Sequence, residues 1–476
     1  MAPHSVSPPP RSVESGATAM AHVGTSLPGL SPCLSYWHRT SRAFKHLNAN
    51  AEAKVPTSSP FVIVGSGISG ALTAFSLIEA GVNGADIVIL EAREAVAGAS
   101  GRNAGHVRPD AFRGFQGYAS LHGTEQAIKI IENEKVVFER VDEFVKKHQV
   151  QCDFNPTTTF DVCLTPEFAT YEADSFEAFK KAGGNVSHVK FYQGEEAQKR
   201  TRVPSAVAAY EWPAGSSHPA KLAHWLLSSA MAQGARLWTH CPATQVKKGS
   251  NEQWEVQTPR GTILARKVIH CTNAYAAALL PQLDTFVTPN KAQAHSVVPS
   301  QAFSGEGLLE STMSLRYSMH HFYSLIQRQG DGTVILGVSR ANPELSAATK
   351  AQIVSFDDSS FNPEIVEDAM TRFKVMFPES NTKLRHGEGL DHAWTGIIAM
   401  TPDSVPLVGP IDELRGQYIC AGFNGHGMAR IFTCAPGLVK MITGGTWADT
   451  GLPECFQYSA DRLSKAAQKM KKESVW

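Results

Sequence analysis

Glycines spaced as in a phosphate-binding turn lie near residue 65. In the pattern Gly-x-Gly-x-x-Gly, the first glycine permits a tight turn and the second a close backbone approach to a pyrophosphate. The third lets a helix pack against a strand, and the unpaired N–H groups at the start of that helix favour a phosphate. The predicted cofactor-binding residues in this turn are Gly65, Ser66, Gly67, Ile68, Ser69 and Gly70.

A carboxylate follows the turn at the distance expected of a ribose ligand. Glu91 lies about 20 residues after Gly70, and an acid at that spacing hydrogen-bonds the ribose hydroxyls of a dinucleotide. Because a carboxylate repels a 2′-phosphate, the sequence favours FAD or NAD over NADP. Ala92 and Arg93 follow Glu91 and complete this part of the predicted cofactor site.

The elements around the turn have the order of a dinucleotide-binding fold. Residues 61–64 and 86–90 are short apolar runs that predict buried strands, and residues 71–80 predict a helix that Gly81 closes. A glycine turn without a ligand is the alternative, since the pattern alone also occurs in ordinary turns. The complete order of strand, turn, helix, strand and acid favours a nucleotide site.

Small and polar residues after Glu91 predict a backbone that can lie against a flat ligand. Arg108 and Arg113 follow them, and a guanidinium at this place could bind a carboxylate through two parallel hydrogen bonds. A solvated surface arginine is the alternative for each. The cofactor-binding candidates in this stretch are Ser100, Gly101, Arg102, Asn103, Ala104, Gly105 and His106.

A second strand, glycine loop and helix follow near the end of the chain. Residues 418–421 predict the strand and residues 429–443 the helix, so the loop between them would present N–H donors to a ligand. His426 is either a hydrogen-bonding partner of the ligand ring or a structural histidine, and both interpretations stay open. The candidates in this loop are Gly422, Asn424, Gly425, His426, Gly427 and Met428.

The middle of the chain predicts further strands. Residues 322–327 and 333–338 flank an Asp-Gly pair, which is a hairpin signal, and antiparallel pairing is expected mainly between about 290 and 390. Residues 262–265 and 268–270 predict two more strands. Candidates for substrate contact here, with a core position as the alternative for the tryptophan, are His321, Tyr323 and Trp394.

The composition excludes several classes of protein. Lysine plus arginine equals aspartate plus glutamate, at 44 each, so no basic excess is present to neutralise the phosphates of a nucleic acid. The eight cysteines form no Cys-x-x-Cys pair, which argues against a metal site and a disulfide framework and fits a reducing, cytoplasmic location. No apolar run approaches about 18 residues, so no membrane span is expected.

An extension of about 55 residues precedes the nucleotide-binding pattern. Its first 30 residues are rich in Pro, Ser, Ala and Gly and predict disorder, and it lacks the apolar core of a secretory signal. Tyr36 and Trp37 are unusual in a disordered segment. They favour packing against the surface of the folded domain, with a position beside the active site as the alternative.

Together these motifs resemble the D-amino-acid oxidase family of FAD-dependent oxidoreductases, which includes sarcosine and glycine oxidases. The resemblance spans about residues 60 to 445 and also includes Thr401-Pro402-Asp403. The stretch Ser-Gly-Arg-Asn-Ala-Gly is similar to the γ-glutamylputrescine oxidase branch, and the extension with Tyr36-Trp37 resembles fungal members. Cofactor binding is further predicted for Val246, Thr272 and Asn273.

The resemblance implies an α/β (α+β) fold. It combines a discontinuous, Rossmann-like FAD-binding domain with a mixed β-sheet substrate domain. The expected segments are residues 1–55 for the extension, 56–110, 205–285 and 391–450 for the FAD-binding domain, 111–204 and 286–390 for the substrate domain, and 451–476 for a helical tail.

The family also implies a reaction, in which a hydride moves from the carbon beside an amine to the flavin and dioxygen takes up the electrons. The substrate is expected to be a small amine or amino-acid-like molecule. A flavin monooxygenase and a non-catalytic, thiazole-synthase-like FAD-binding protein are the alternatives. The catalytic candidates are His426, Arg108, Trp394, Tyr323 and His321.

Two departures from the family pattern limit what the resemblance implies. The sarcosine-oxidase branch links flavin to a cysteine just before Thr401-Pro402-Asp403, and other relatives link it to a histidine where Arg102 lies here. Neither linking residue is present, so noncovalent FAD is expected. That branch also binds the substrate carboxylate with a lysine after its His-Gly pair, where this chain has Ala429 and Arg430.

Overall fold

The computed structural model describes residues 24–249, 251–338 and 342–469. The predicted disorder of residues 1–23 and the end of the predicted helical tail lie outside the described residues. The strands are β1 (Ser58–Val64), β2 (Ile87–Leu90), β3 (His106–Val107), β4 (Asn155–Cys163), β5 (Lys190–Gln193), β6 (Ala208–Ser216), β7 (Arg236–Trp238), β8 (Gln245–Lys248), β9 (Trp254–Thr258), β10 (Gly261–His270), β11 (Thr288–Val298), β12 (Thr312–Arg316), β13 (Phe322–Gln327), β14 (Val334–Val338), β15 (Gly389–Met400), β16 (Leu407–Pro410) and β17 (Gln417–Ala421). The α-helices are α1 (Tyr36–Arg39), α2 (Ile68–Glu79), α3 (Phe115–His122), α4 (Thr124–His148), α5 (Pro166–Lys181), α6 (Glu195–Thr201), α7 (Pro219–Ala232), α8 (Ala347–Ala351), α9 (Pro363–Met376), α10 (Ile431–Ile442) and α11 (Ala460–Lys469).

The first sheet brings the two distant glycine motifs together. Its strands lie in the order β16-β17-β10-β1-β2-β7, with β9 beside β10 and β8 beside β9. Strands β17, β10, β1, β2 and β7 are parallel, so the loops that follow β1 and β17 lie at the same edge. Ligands of open parallel sheets bind at this carboxyl edge.

Strand β10 corrects one prediction. Residues 261–270 form one continuous strand, whereas the sequence pattern predicted separate strands over 262–265 and 268–270. Its beginning pairs with β9, and the part from Leu264 onwards pairs with β1. The polar pair Arg266 and Lys267 interrupts the apolar pattern without interrupting the strand.

The second sheet has the order β15-β11-β14-β13-β12-β4-β6-β3, with β5 beside β6. Its pairs are antiparallel except β12 with β4, which are parallel. The predicted hairpin is formed by β13 and β14. Antiparallel pairing extends beyond the predicted region to β4 and β6, because the nine-residue runs 155–163 and 208–216 pair along their whole length. The fold is thus α/β (α+β), with two mixed sheets.

Sheet membership differs from the predicted segments in two places. Strand β6 and most of β15 belong to the second sheet, although their residues fall within the predicted FAD-binding segments 205–285 and 391–450. Helix α4 falls within the predicted substrate segment, yet Val137 and Val141 share a core cluster with Leu438 of α10. The domain boundaries therefore stay a prediction. Within the described residues, no helix combines the length and apolarity that crossing a bilayer requires.

Residues 24–39, which we call the N-terminal strap, lie against the body of the protein. The Ser35 hydroxyl donates to the Gly101 carbonyl at 2.5 Å, and the Trp37 indole N–H donates to the Asn103 carbonyl at 2.6 Å. Trp37 is fully buried, and Tyr36 is also buried. The aromatic pair therefore packs within the fold, the role that the sequence favoured, and it supports the loop that was predicted to face the cofactor.

Removal of the strap should weaken both the fold and flavin retention. A chain lacking residues 1–39 loses the buried Trp37, and loss of a large core side chain costs about 3 kcal/mol or more. We expect a lower melting temperature and less bound flavin per polypeptide than in a chain lacking only residues 1–23. Equal melting temperatures and flavin contents in the two truncated chains would contradict this role.

Candidate functional site

A large cavity is lined by residues of both sheets. It has an empty volume of about 2370 Å³, counted to its open mouth, and it reaches Val64 and Leu90, the last residues of β1 and β2. Leu27 and Pro28 of the N-terminal strap line it as well. The cavity thus lies at the carboxyl edge of the first sheet, where a nucleotide is expected.

The predicted phosphate turn requires glycine at two positions. Gly65 has φ +107°, and a Cβ there would lie 2.6 Å from the Cys271 carbonyl oxygen. A Cβ at Gly70 would lie 1.9 Å from the carbonyl oxygen of Gly65, so only glycine allows α2 to approach β1 this closely. Helix α2 begins at Ile68, and its N-terminal N–H groups are therefore held at the cavity edge.

Glu91 is held in place by the turn itself. One carboxylate oxygen accepts from the Ser66 N–H at 3.1 Å and the Ser66 hydroxyl at 2.6 Å, and the other accepts from the Arg93 N–H at 3.0 Å. A carboxylate can accept about four hydrogen bonds, so it retains capacity for a ribose hydroxyl. Arg93 makes two buried hydrogen bonds to Asp358, at 2.7 and 3.0 Å.

Several buried polar atoms on the cavity wall fit a polar ligand such as FAD. The hydroxyl of Thr272, the amide oxygen of Asn290, both ring nitrogens of His106 and the hydroxyl of Ser314 have no hydrogen-bond partner among the described residues. A buried polar atom without a partner is costly. The wall therefore carries donors and acceptors that a long, polar cofactor could satisfy.

Most of the predicted cofactor-binding residues come together on this wall. Those that line the cavity are Gly65, Gly67, Ser69, Glu91, Ala92, Arg93, Ser100, Arg102, Asn103, Ala104, His106, Thr272, Asn273, Asn424, Gly425, His426, Gly427 and Met428. The side-chain oxygen of Asn273 accepts from the N–H groups of Gly422 and Phe423 at 3.1 and 3.2 Å. This amide therefore connects the loops after β10 and β17.

Other predicted cofactor-binding residues lie behind the wall and support it. They are Ser66, Ile68, Gly70, Gly101, Gly105, Gly422 and Val246. Gly101 and Gly105 are in close contact with His38 and Trp37, where a Cβ would lie 2.3 and 2.9 Å from the respective side chains. Val246, in β8, packs against the core cluster beneath the first sheet and does not reach the cavity.

Three catalytic candidates do not line the cavity. Tyr323 lies on the opposite face of β13 from Phe322 and Ser324, which do line it, because successive side chains of a strand alternate. The Tyr323 hydroxyl donates to Asp368, and His321 lies 3.4 Å from that hydroxyl. Trp394 is fully buried and donates to the Arg102 carbonyl at 2.8 Å. The side chains of these three residues therefore do not reach the cavity, and their contact with a substrate stays a prediction.

A cluster of three arginines lies at the end of the cavity formed by the second sheet. Arg108, Arg113 and Arg316 contact the carboxylate of Asp161 at 2.9, 2.6 and 3.1 Å, and all three arginines line the cavity. Burial would raise the pKa of Asp161, but the three guanidinium groups lower it below its ordinary value. Arg316 and Asp161 carried no motif in the sequence, since only the pairing of β12 with β4 brings them together.

Helix α4 contributes one buried acid that the sequence did not single out. Glu134 is fully buried and contacts both His426 and Arg430. An acid among the exposed charged residues of this helix gave no signal in the sequence. His426 and Arg108 line the same cavity, so two of the five catalytic candidates share one site.

Replacement of Glu91 tests the predicted nucleotide contact. Glu91→Ala should purify with much less flavin, because loss of charge-assisted hydrogen bonds of about 1.5–3 kcal/mol weakens binding about tenfold to a hundredfold. Glu91→Gln keeps the shape and is the matched comparison. Flavin content and dissociation constant are measured from visible absorbance. An unchanged affinity in Glu91→Ala would show that this acid is only structural.

Comparison with known proteins supports the same assignment. The DAO family model, described as FAD dependent oxidoreductase, matches residues 61–441. The chain is 25% identical over 390 residues to γ-glutamylputrescine oxidoreductase of Escherichia coli strain K12, covering 80% of this chain and 83% of that protein.

Two solved structures share the fold. L-proline dehydrogenase from P. horikoshii superimposes with a TM-score of 0.66 at 21% identity, covering 85% of this chain and 97% of its own. Glycine oxidase from Bacillus cereus ATCC 14579 gives 0.64 at 16% identity, covering 81% and 95%. Since the family model also spans most of the sequence, the chain belongs to the DAO family of FAD-dependent oxidoreductases and is an enzyme that uses FAD.

Proposed function

We propose that this enzyme oxidises the C–N bond of a small amino compound that carries a carboxylate, with dioxygen as the final electron acceptor. FAD, when bound, accepts the hydride from the carbon beside the nitrogen. The observation that carries the proposal is the position of Arg108, Arg113 and Arg316 on the same cavity wall as His426. Arginine is well suited to bind a carboxylate through parallel N–H groups.

Two carboxylates lie beside the three guanidinium groups of the arginine cluster. Asp161 compensates one guanidinium. Asp110 compensates a second, although its oxygens already accept the N–H groups of Phe112, Arg113 and Gly114 at 3.1, 2.9 and 2.8 Å. Because three guanidinium groups line this part of the cavity, an anionic group on the substrate is favoured.

Glu172 is a third acid near the arginine cluster. It is fully buried, and neither of its carboxylate oxygens has a hydrogen-bond partner among the described residues. Burial, together with the nearby Asp161, raises the pKa of Glu172 well above its ordinary value. Burial thus disfavours the charged form of this carboxyl group.

The position that holds a carboxylate-binding lysine in the sarcosine-oxidase branch serves another purpose here. Arg430 is fully buried, does not line the cavity, and donates to Glu134 at 2.9 Å and to the Ser404 carbonyl at 3.1 Å. Carboxylate binding from that position is therefore not part of the proposal. In the proposal the arginine cluster takes this role instead.

The names of the relatives support an amino substrate. γ-Glutamylputrescine, L-proline and glycine appear in the names of the three compared proteins, and all three contain an amino or imino nitrogen. The guanidinium groups that line the cavity favour the acids among such compounds over polyamines. A cytoplasmic location is also part of the proposal, and it is supported by the eight cysteines, all of which lie in the described residues and are unpaired.

Matched pairs of amines and amino acids test the proposal. We expect L-proline or sarcosine to bleach the flavin absorbance anaerobically, and pyrrolidine and dimethylamine, which lack the carboxylate, to bleach it far more slowly. In air, the same acids should give hydrogen peroxide. Equal bleaching by the members of each pair would remove the carboxylate from the proposal, and rapid reduction by NADPH alone would replace it with a monooxygenase.

Arg108 provides a test by substitution. Arg108→Gln should raise the dissociation constant of the acid that bleaches the wild-type flavin by about tenfold or more, because a charge-assisted hydrogen bond is lost. Arg200→Gln is the matched control, since Arg200 forms an exposed ion pair with Glu196 and such pairs contribute little. An unchanged dissociation constant in Arg108→Gln would exclude this arginine from substrate binding.

We also propose that FAD is bound noncovalently. Arg102 donates to the carbonyls of Ala97 and Thr395 at 2.7 and 2.8 Å, so the side chain at that position supports the loop. On acid precipitation we expect a colourless pellet and a yellow supernatant. A yellow pellet with a colourless supernatant would contradict noncovalent binding.

A further inference from the structure

A buried acid that contacts His426 determines which ring nitrogen of the neutral imidazole carries the proton. His426 lies in the loop between β17 and α10 and lines the cavity. Its Nδ1 atom is 3.3 Å from the carboxylate of Glu134, which belongs to α4 and is fully buried. The two residues are 292 positions apart in the chain, so only the packing of α4 against the loop creates this pair.

The Glu134 carboxylate is held in its ionised form. Its oxygens accept from the Arg430 guanidinium at 2.9 Å and from the Asp110 N–H at 2.7 Å. Arg430 is fixed in turn by the Tyr118 hydroxyl, at 2.5 Å. Burial would raise the pKa of Glu134, but His426 and Arg430 bring it down to about 2. An ionised carboxylate only accepts hydrogen bonds.

This acceptor selects one tautomer of the neutral imidazole. Because Glu134 cannot donate, the proton of a neutral His426 must be on Nδ1, which leaves Nε2 with its lone pair. Burial lowers the pKa of His426, and the nearby charges of Arg430 and Arg113 lower it further, while Glu134 opposes them. Burial thus disfavours the charged form of His426.

We propose that His426 accepts a proton from the substrate ammonium group through Nε2, and that Glu134 is the positioning residue that directs this nitrogen. Amino compounds are ammonium ions at neutral pH, and their nitrogen must lose a proton before its lone pair can assist removal of hydride from the adjacent carbon. One N–H bond of the ammonium breaks, its electron pair stays on nitrogen, and the proton moves to Nε2. The imidazolium that forms is paired with Glu134. This inference rests on the proposed function, because the arginine cluster binds the carboxylate of the same substrate.

The tautomer is tested without turnover. In protein labelled with ¹⁵N-histidine, long-range ¹H–¹⁵N correlation spectra distinguish Nδ1–H from Nε2–H rings. The signal of His426 is identified by its loss in His426→Gln. We expect the Nδ1–H form in the wild-type enzyme and loss of that preference in Glu134→Gln. An Nε2–H ring in the wild-type enzyme would overturn the proposal.

The pH profile of anaerobic flavin bleaching tests the role in proton transfer. The substrate is the amino acid, L-proline or sarcosine, that bleaches the wild-type flavin faster. With it, Glu134→Gln should lower the rate of flavin bleaching at pH 7 about tenfold, and His426→Gln about a hundredfold. Both rates should recover toward the wild-type rate near pH 10, where the free substrate loses its proton unaided. Glu132→Gln, an exposed acid on the same helix, is the control and should match the wild type.

The outcomes separate this inference from the function on which it rests. A loss of rate that is equal at every pH would show that the two residues are only structural and would overturn the proposal. If Glu134→Gln fails to fold, His426→Gln still gives the test, because it leaves the pair of Glu134 and Arg430 intact. If no amino compound bleaches the wild-type flavin, the proposed function itself is wrong, and the proton-accepting role is wrong with it.

Discussion

The contact between Gly70 and the Gly65 carbonyl determines where helix α2 can lie. A Cβ at residue 70 would be 1.9 Å from that oxygen, so the helix reaches this distance from β1 only with glycine. The approach directs the N–H groups at the start of α2 toward the cavity. Strands β2 and β10 then place Glu91 and Cys271 at the same edge, because they flank β1 in a parallel sheet. The other parts of the FAD site are arranged around this edge.

Buried carboxylates hold the remaining parts of the site together. Asp358 pairs with Arg93 at the nucleotide end, Asp161 with three arginines at the opposite end, and Glu134 with Arg430 below the loop of His426. Removing water from a charge is costly, and loss of one partner from a buried pair is strongly destabilising. Each pair joins segments that are far apart in the chain. These ion pairs therefore limit how the loops around the cavity can move relative to one another.

The two ends of the cavity differ in chemistry. At one end, Glu91 and the N-terminus of α2 offer an acceptor and N–H donors, which match a ribose and a pyrophosphate. At the other end, the second sheet and the loop before α3 offer guanidinium groups. His426 lines the same cavity. This division fits the proposal that one cavity holds a large nucleotide and binds a small acid.

The sequence determined the nucleotide-binding half of the protein. Local backbone geometry requires glycine at positions 65 and 70, and the order of neighbouring elements indicates the role of the acid at position 91. Such short-range patterns can be recognised in the sequence itself. The sequence also indicated the hairpin of β13 and β14 and the helix after the loop of His426. In the same way, the aromatic pair Tyr36 and Trp37 indicated that the extension packs against the fold.

Only the tertiary structure decided which side chains surround the substrate end. The side chain of Tyr323 does not reach the cavity, whereas that of Arg316 lines it. Which face of β12 and β13 is turned toward the cavity depends on what covers each side of the sheet. Asp161 and Glu134 gave no signal, since a single acid in a strand or helix has the same pattern whether it faces water or a buried arginine. Their roles come from contacts between residues 48 to 296 positions apart, and such contacts follow from packing rather than from local spacing.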